Sequence, residues 1–113
     1  MITVQYTRNC ITFSIPKTRR LDFLISGKLQ KEIIKEIDNQ ANNFIIDLTN
    51  IHFIDSHSFN VLLQVHNMLE RVGKKLYIVN ISESAKELFN LTGLDRVLAV
   101  IMEDTPANIA TCQ

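Results

Sequence analysis

One short segment of the sequence carries the residue types of a hydrolase, because Asp55, Ser56 and His57 stand side by side. A nucleophile, a base and an orienting carboxylate must line up through hydrogen bonds of about 2.6–3.2 Å. Consecutive residues at the start of a helix point in different directions and cannot form such a line. The segment therefore favours binding over catalysis, and we expect no catalytic residue in the chain.

The remaining groups that could do chemistry are scattered along the sequence. The 3 histidines lack metal-ligand spacing and have no cysteine or carboxylate cluster that would complete a zinc site. With only 3 glycines, the chain cannot build a dinucleotide-binding loop or a P-loop. Cys10 has no CxxC companion, which argues against a redox role. We therefore predict no metal and no cofactor, and any nucleotide in the system should belong to a partner.

The charge balance excludes two classes of partner. The 12 basic and 12 acidic residues cancel, so no overall field collects nucleic acid or anionic lipid. The densest basic run is Lys17-Thr18-Arg19-Arg20. A run this short is either a solvated loop or a patch for a phosphate or a partner.

Length and apolar patterning indicate a single domain over residues 1–113. No Pro/Gly/Ser-rich stretch divides the chain, and no apolar run approaches the ~18–20 residues of a membrane span. The N-terminal segment has no secretion-signal pattern, and Cys10 and Cys112 could form at most one bridge. We expect a soluble, cytoplasmic protein.

Hydrophobic periodicity predicts alternating strands and helices. Ser26 and Ser82 are the expected N-caps of the first and third helices. The predicted elements are a hairpin over 2–15, a helix over 27–40, a strand over 44–48, a helix over 56–72, a strand over 75–80, a helix over 82–92, a strand over 97–101 and a short helix from Pro106.

This order predicts an α/β fold with a mixed, mostly parallel sheet of four to five strands, an N-terminal antiparallel hairpin strand and three to four helices. Residues 44–48 form a near-continuous apolar run, which is typical of a central strand. The second helix has a polar stripe at Asn60, Gln64, Asn67 and Arg71, while almost all its other positions are apolar. Its wide apolar arc must meet either neighbouring elements of the same chain or another protein.

Asp55 and Ser56 should lie where the second helix begins. Backbone N–H groups there lack intrahelical acceptors, and the positive end of the helix dipole favours anions. The pair could serve only as a helix cap. Alternatively, a phosphate on Ser56 would be tolerated there and would alter the surface offered to a partner, which is the behaviour of a binding switch.

Several motifs together resemble the STAS domain family of anti-anti-sigma factors. A buried strand ending in Asp47-Leu48 is followed by a hydrophobic turn and by Asp55-Ser56 at the start of the next helix. Further along, Gly73-Lys74-Lys75-Leu76 and Leu91-Thr92-Gly93-Leu94 resemble the family's later turns. The resemblance covers residues 42–101 in motifs, and residues 1–41 only in the order of elements.

The resemblance implies that the hydroxyl of Ser56 is phosphorylated by a serine kinase that also acts as an anti-sigma factor. The unmodified domain would bind that kinase, and phosphorylation would release it. The expected partner-binding residues are Asp55, Ser56, His57, Ser58, Phe59 and Asn60.

Two features depart from the regulated members of this family. Those members usually carry small residues after the phosphorylated hydroxyl, whereas His57-Ser58-Phe59-Asn60 follows it here. They also commonly have a Gly-Glu-Leu or Gly-Glu-Ile turn where this chain has Ile15-Pro16-Lys17-Thr18. A non-switching module, such as a scaffold or an accessory subunit of a transport complex, is therefore the alternative hypothesis. The oligomeric state stays open.

Overall fold

The helices and strands follow the predicted order of strand and helix patterns. A computed structural model describes residues 1–93, so the strand predicted over 97–101 and the helix predicted from Pro106 lie outside the described residues. The elements are β1 (Thr3–Thr7), β2 (Cys10–Ser14), β3 (Arg20–Leu21), α1 (Phe23–Lys35), β4 (Asn43–Asp47), β5 (Phe53–Ile54), α2 (Ser56–Arg71), β6 (Lys75–Val79) and α3 (Glu83–Thr92).

The main sheet has four strands in the order β1-β2-β4-β6. β1 and β2 form the predicted antiparallel hairpin, while β4 runs parallel to both β2 and β6. Phe44, Ile45 and Ile46 of β4 are all buried, because a strand in this position has both its faces covered. The predicted mixed α/β fold with a mostly parallel sheet is confirmed.

The core lies mainly on one face of this sheet. Alternate residues of β2, β4 and β6, such as Phe13, Phe44 and Ile78, pack there with the apolar sides of the helices. The opposite face contributes a smaller cluster of Cys10, Ile45 and Val79. The strict two-residue period of the strands therefore separates one large core from one small one.

The predicted N-cap of the first helix is wrong. α1 begins at Phe23, and the carboxylate of Asp22 caps it by accepting a hydrogen bond from the Ile25 N–H at 3.0 Å. Ser26 is completely buried inside the helix, and its hydroxyl donates to the Phe23 carbonyl at 3.3 Å. A serine that bonds a carbonyl of the preceding turn can lie within a helix, so its presence did not mark the boundary.

A second, two-stranded parallel sheet of β3 and β5 was not predicted. Each strand has only two residues, which is too short to produce a detectable period. The pairing continues into the neighbouring backbone, since the His52 N–H donates to the Arg19 carbonyl at 2.8 Å and the Asp55 N–H to the Leu21 carbonyl at 3.1 Å. It joins the loop that follows β2 to the segment that precedes α2.

The ends of α2 and α3 agree with the prediction. The Ser82 hydroxyl caps α3 by accepting from the Ala85 N–H at 3.1 Å. Gly73 and Gly93 take left-handed φ angles of 77° and 73° just after the two helices, a conformation that glycine adopts without steric strain.

The wide apolar arc of α2 is largely used within the chain. Val61, Leu62, Val65 and Leu69 are buried in the main core, and Leu63 and Met68 are partly buried against it. The polar stripe predicted on this helix is exposed along its length. Neighbouring elements therefore account for most of the arc. Within residues 1–93, no helix combines the length and the apolar character needed to cross a bilayer.

We expect Phe89→Ala to lower the free energy of unfolding by about 3–5 kcal/mol. Phe89 is fully buried, and its ring packs edge-on against Phe59 of α2 with 5.2 Å between ring centroids. Urea denaturation measures the change. Leu91→Ala is the matched control in the same helix because Leu91 is 83% exposed, and it should change the free energy by less than about 0.5 kcal/mol. Equal losses in both variants would contradict the packing described here.

Candidate functional site

The start of α2 is organised by the side chain of Asp55. This residue has an extended backbone and is the N-cap, and its carboxylate accepts a hydrogen bond from the Ser58 N–H at 2.7 Å. One of the unpaired N–H groups of the first turn is thereby satisfied. The predicted position of Asp55-Ser56 at the beginning of a helix is confirmed.

The environment of Asp55 favours its ionised form. Partial burial acts to raise the pKa of the carboxyl, but hydrogen bonds from Ser58 and from the backbone N–H of Phe23, together with the nearby charge of His57, outweigh burial and lower the pKa below its ordinary value of 3.8. A fixed negative charge therefore stands next to Ser56 at neutral pH.

Ser56 is the first residue of α2, and its side chain is exposed. It lies at the edge of a shallow groove of about 280 Å³ that continues along α2 towards the end of α3. The groove is lined by Ser56, Phe59, Asn60, Leu63 and Thr92. An incoming enzyme or partner can therefore reach the serine hydroxyl without opening the fold.

The residues predicted to bind a partner divide into two groups. Ser56, His57 and Asn60 are exposed. Ser58 is completely buried, where its hydroxyl donates to the Leu21 carbonyl at 3.0 Å, and Phe59 is only 5% exposed. Ser58 therefore holds the helix against β3, and Phe59 packs into the core and offers only an edge to the groove.

Two exposed apolar side chains beside the site were missed from the sequence. Phe23 and Leu24 of α1 are 59% and 61% exposed, and the Phe23 ring meets His57 edge-on with 6.4 Å between ring centroids. The sequence feature that could have revealed them is Asp22, a strong N-cap residue that marks the start of α1 directly before an apolar pair. A helix counted from Asp22 places Leu24 on the opposite side from Leu29 and Ile33, and so away from the core.

A third exposed apolar side chain, Phe53, lies on β5. Phe53 is 42% exposed, and the guanidinium carbon of Arg20 lies 4.7 Å from the centre of its ring. This is a cation–π contact between the two short strands. The three exposed apolar side chains, Phe23, Leu24 and Phe53, precede or adjoin the start of α2.

The described part of the chain, residues 1–93, holds no group of three or more His, Cys, Asp or Glu side chains placed to bind a metal. The site instead combines an exposed serine, an ionised carboxylate, the start of a helix and exposed aromatic rings. Such an arrangement can present a modifiable hydroxyl to a protein surface.

Removing the carboxylate of Asp55 should destabilise the protein in a pH-dependent way. Asp55→Ala should lower the free energy of unfolding by about 1 kcal/mol at pH 7 because the helix loses its cap. Asp55→Asn keeps an acceptor oxygen but loses the charge. Since the folded-state pKa is lowered, the advantage of the wild type over Asp55→Asn should persist above the ordinary carboxyl pKa and disappear as the pH falls through the folded-state value.

Urea denaturation across a pH series measures both effects. The control is Asp38→Asn, because Asp38 is exposed. A wild-type advantage over Asp55→Asn that grows on acidification would contradict the assigned direction of the pKa shift.

Solved structures with the same fold include two anti-sigma factor antagonists. A STAS domain protein from Planctomyces limnophilus, described as an anti-sigma-factor antagonist, matches with a TM-score of 0.83 and 15% identity, over 98% of this chain and 97% of its own. SpoIIAA of Bacillus in its phosphorylated form matches with a TM-score of 0.70 and 19% identity, over 98% and 97%.

A protein of another class shares the fold. A sulfate transporter family protein from Wolinella succinogenes matches with a TM-score of 0.73 and 17% identity, over 85% of this chain and 79% of its own. At these identities the likeness establishes the architecture. The family model of the STAS domain matches residues 1–109, and the chain therefore belongs to the STAS domain family.

Proposed function

We propose that this protein is a cytoplasmic anti-sigma factor antagonist of bacterial type, which binds a serine-kinase anti-sigma factor and is switched by phosphorylation of Ser56. The single observation that supports this most directly is the exposed hydroxyl of Ser56 at the first position of α2, beside the ionised cap Asp55. The role is binding and release of a protein, without catalysis by this chain.

The physical effect of a phosphate at this position favours a switch over unfolding. It would add a charge of about −1.5 to −2 at the positive end of a helix, where anions are stabilised. The cap interaction of Asp55 with Ser58 and the buried bond from Ser58 to Leu21 lie beneath the surface and can remain in place. The change falls on the exterior, where a partner would have to desolvate the phosphate next to the Asp55 carboxylate.

The relatives support the same assignment. SpoIIAA, which has this fold, has been solved in a phosphorylated and in an unphosphorylated form and is described as an anti-sigma factor antagonist. A protein of this architecture can therefore exist in both states. We extend that behaviour to this chain through Ser56.

A non-switching interaction module is the second candidate function, for a protein such as a scaffold or an accessory subunit of a transport complex. The structural match to a sulfate transporter family protein favours it. His57 and the partly exposed Phe23 also add bulk immediately beside Ser56, which could hinder a kinase. In this case Asp55-Ser56 would serve only to begin α2.

Incubation with ATP and a serine-kinase anti-sigma factor encoded near this protein should add one phosphate-sized mass, measured on the intact chain by mass spectrometry. Ser56→Ala should abolish the gain. Ser84→Ala is the matched control because Ser84 is also exposed in the first turn of a helix, and it should be phosphorylated like the wild type. Stable complex formation without any mass gain would support the non-switching module instead.

Ser56→Asp should mimic the switched state without damaging the fold. We expect its thermal midpoint to stay within about 2 °C of the wild type, since a carboxylate is favourable in the first turn of a helix. Its affinity for the kinase that binds the unmodified protein should fall at least about tenfold, which corresponds to about 1.4 kcal/mol of binding free energy. Calorimetry measures both the thermal midpoint and the affinity for the kinase. Ser84→Asp, which adds the same charge to α3, should bind like the wild type; equal loss in both variants would contradict the proposed location of the partner surface.

A further inference from the structure

A basic concavity lies where the segment leading into β3 meets the segment leading into β5. It has a volume of about 660 Å³ and is formed by the loop that follows β2 and the loop that follows β4. We call it the basic cavity, and its lining residues are Lys17, Thr18, Arg19, Arg20, Asn50 and His52. In the sequence, only β5 and Asp55 separate its lining residue His52 from Ser56, the first residue of α2.

Within residues 1–93, no carboxylate forms an ion pair with Lys17, Arg19 or Arg20 of this cavity. Among residues 1–93, the ion pairs within 4.0 Å join Lys35 to Glu32, His66 to Glu70 and Lys86 to Glu83. None of them involves the three cations of the cavity. Because the whole chain has equal numbers of acidic and basic residues, this is a local excess of positive charge, which attracts a complementary negative surface.

The backbone that carries these cations is held in place. The Arg19 carbonyl accepts from the His52 N–H at 2.8 Å, so the two loops are bonded to each other. The Thr18 hydroxyl also accepts from the Arg20 N–H at 3.2 Å. A partner that binds here does not have to order a free loop, which reduces the entropy lost on binding.

Arg20 links the cavity to an apolar flank. Its guanidinium stacks on the half-exposed ring of Phe53 at 4.7 Å, an arrangement that leaves the N–H edge available for a carboxylate. Phe23 and Leu24 are exposed on the neighbouring α1. Exposed aromatic side chains together with arginine are enriched in the centres of protein interfaces.

We propose that the basic cavity receives carboxylate side chains from an acidic segment of the protein that docks on Ser56. This inference rests on the proposed function and adds the chemistry of the partner to it. A protein segment fits better than a small anion because the cations continue into exposed apolar side chains, which a small charged ligand would leave uncovered. Nucleic acid is disfavoured because the chain as a whole carries no net positive charge.

The first test measures association with the purified kinase at low and high ionic strength. Neutralising the cavity with Lys17→Gln, Arg19→Gln and Arg20→Gln together should reduce the association rate about tenfold at low salt, and the difference should vanish at high salt because steering is screened. The matched control removes the same charge elsewhere, with Arg8→Gln, Lys31→Gln and Arg71→Gln at exposed positions. It should change the rate by less than twofold.

The two proposals fail in different ways. If the wild type binds the kinase and is phosphorylated on Ser56, but both triple variants associate at the same rate, the acidic-segment inference is overturned and the proposed function stands. If no kinase binds, the proposed function fails, and a second experiment decides the role of the cavity by itself.

That experiment titrates the full ¹⁵N-labelled chain with a hexaglutamate peptide, with hexalysine as the control, and records amide shifts. We expect hexaglutamate alone to shift residues 17–20 and 50–52, and the cavity triple variant to lose these shifts. Inorganic phosphate, added at the same total concentration of negative charge as hexaglutamate, is the third probe. Larger shifts with phosphate than with hexaglutamate would identify a small-anion site and overturn the inference, as would shifts that are spread over the whole surface.

Discussion

The hydrogen bonds on the Leu21 carbonyl hold the start of α2 against β3. This single oxygen accepts from the Asp55 N–H at 3.1 Å and from the buried Ser58 hydroxyl at 3.0 Å. Because buried polar groups must be paired, these bonds fix the start of α2 against β3. Ser58 consequently faces inward, and Ser56, two residues earlier on the helix, faces solvent.

Close packing of the main sheet and the helices supports the start of α2. β4 lies between β2 and β6 with all its apolar side chains buried, and α2 buries four aliphatic residues of its apolar arc in the main core. The aromatic pair Phe59 and Phe89 joins α2 to α3. The exposed first turn of α2 therefore stands on a structure in which a change of surface charge requires no rearrangement of the core.

Members of one fold can differ in the surface that surrounds a shared position. The fold of this chain is shared with anti-sigma factor antagonists and with a sulfate transporter family protein at 15–19% identity. In this chain, His57 lies against Phe23 at the start of α2, and Arg20 stacks on Phe53 and also lines the basic cavity. Function is a property of such local chemistry more than of the sheet and helices that carry it.

Strand and helix order, the parallel sheet and the location of Asp55-Ser56 at a helix start could all be predicted from the sequence. Hydrophobic period and capping chemistry are local, so they are visible in consecutive residues. Ser26 was misread because a hydroxyl can satisfy itself within a helix, and β3 and β5 were missed because a two-residue strand has no period. Only the tertiary structure decided that Ser58 turns inward and that the basic loop lies against the segment before β5. Both depend on contacts between residues more than thirty positions apart, namely Ser58 with Leu21 and His52 with Arg19.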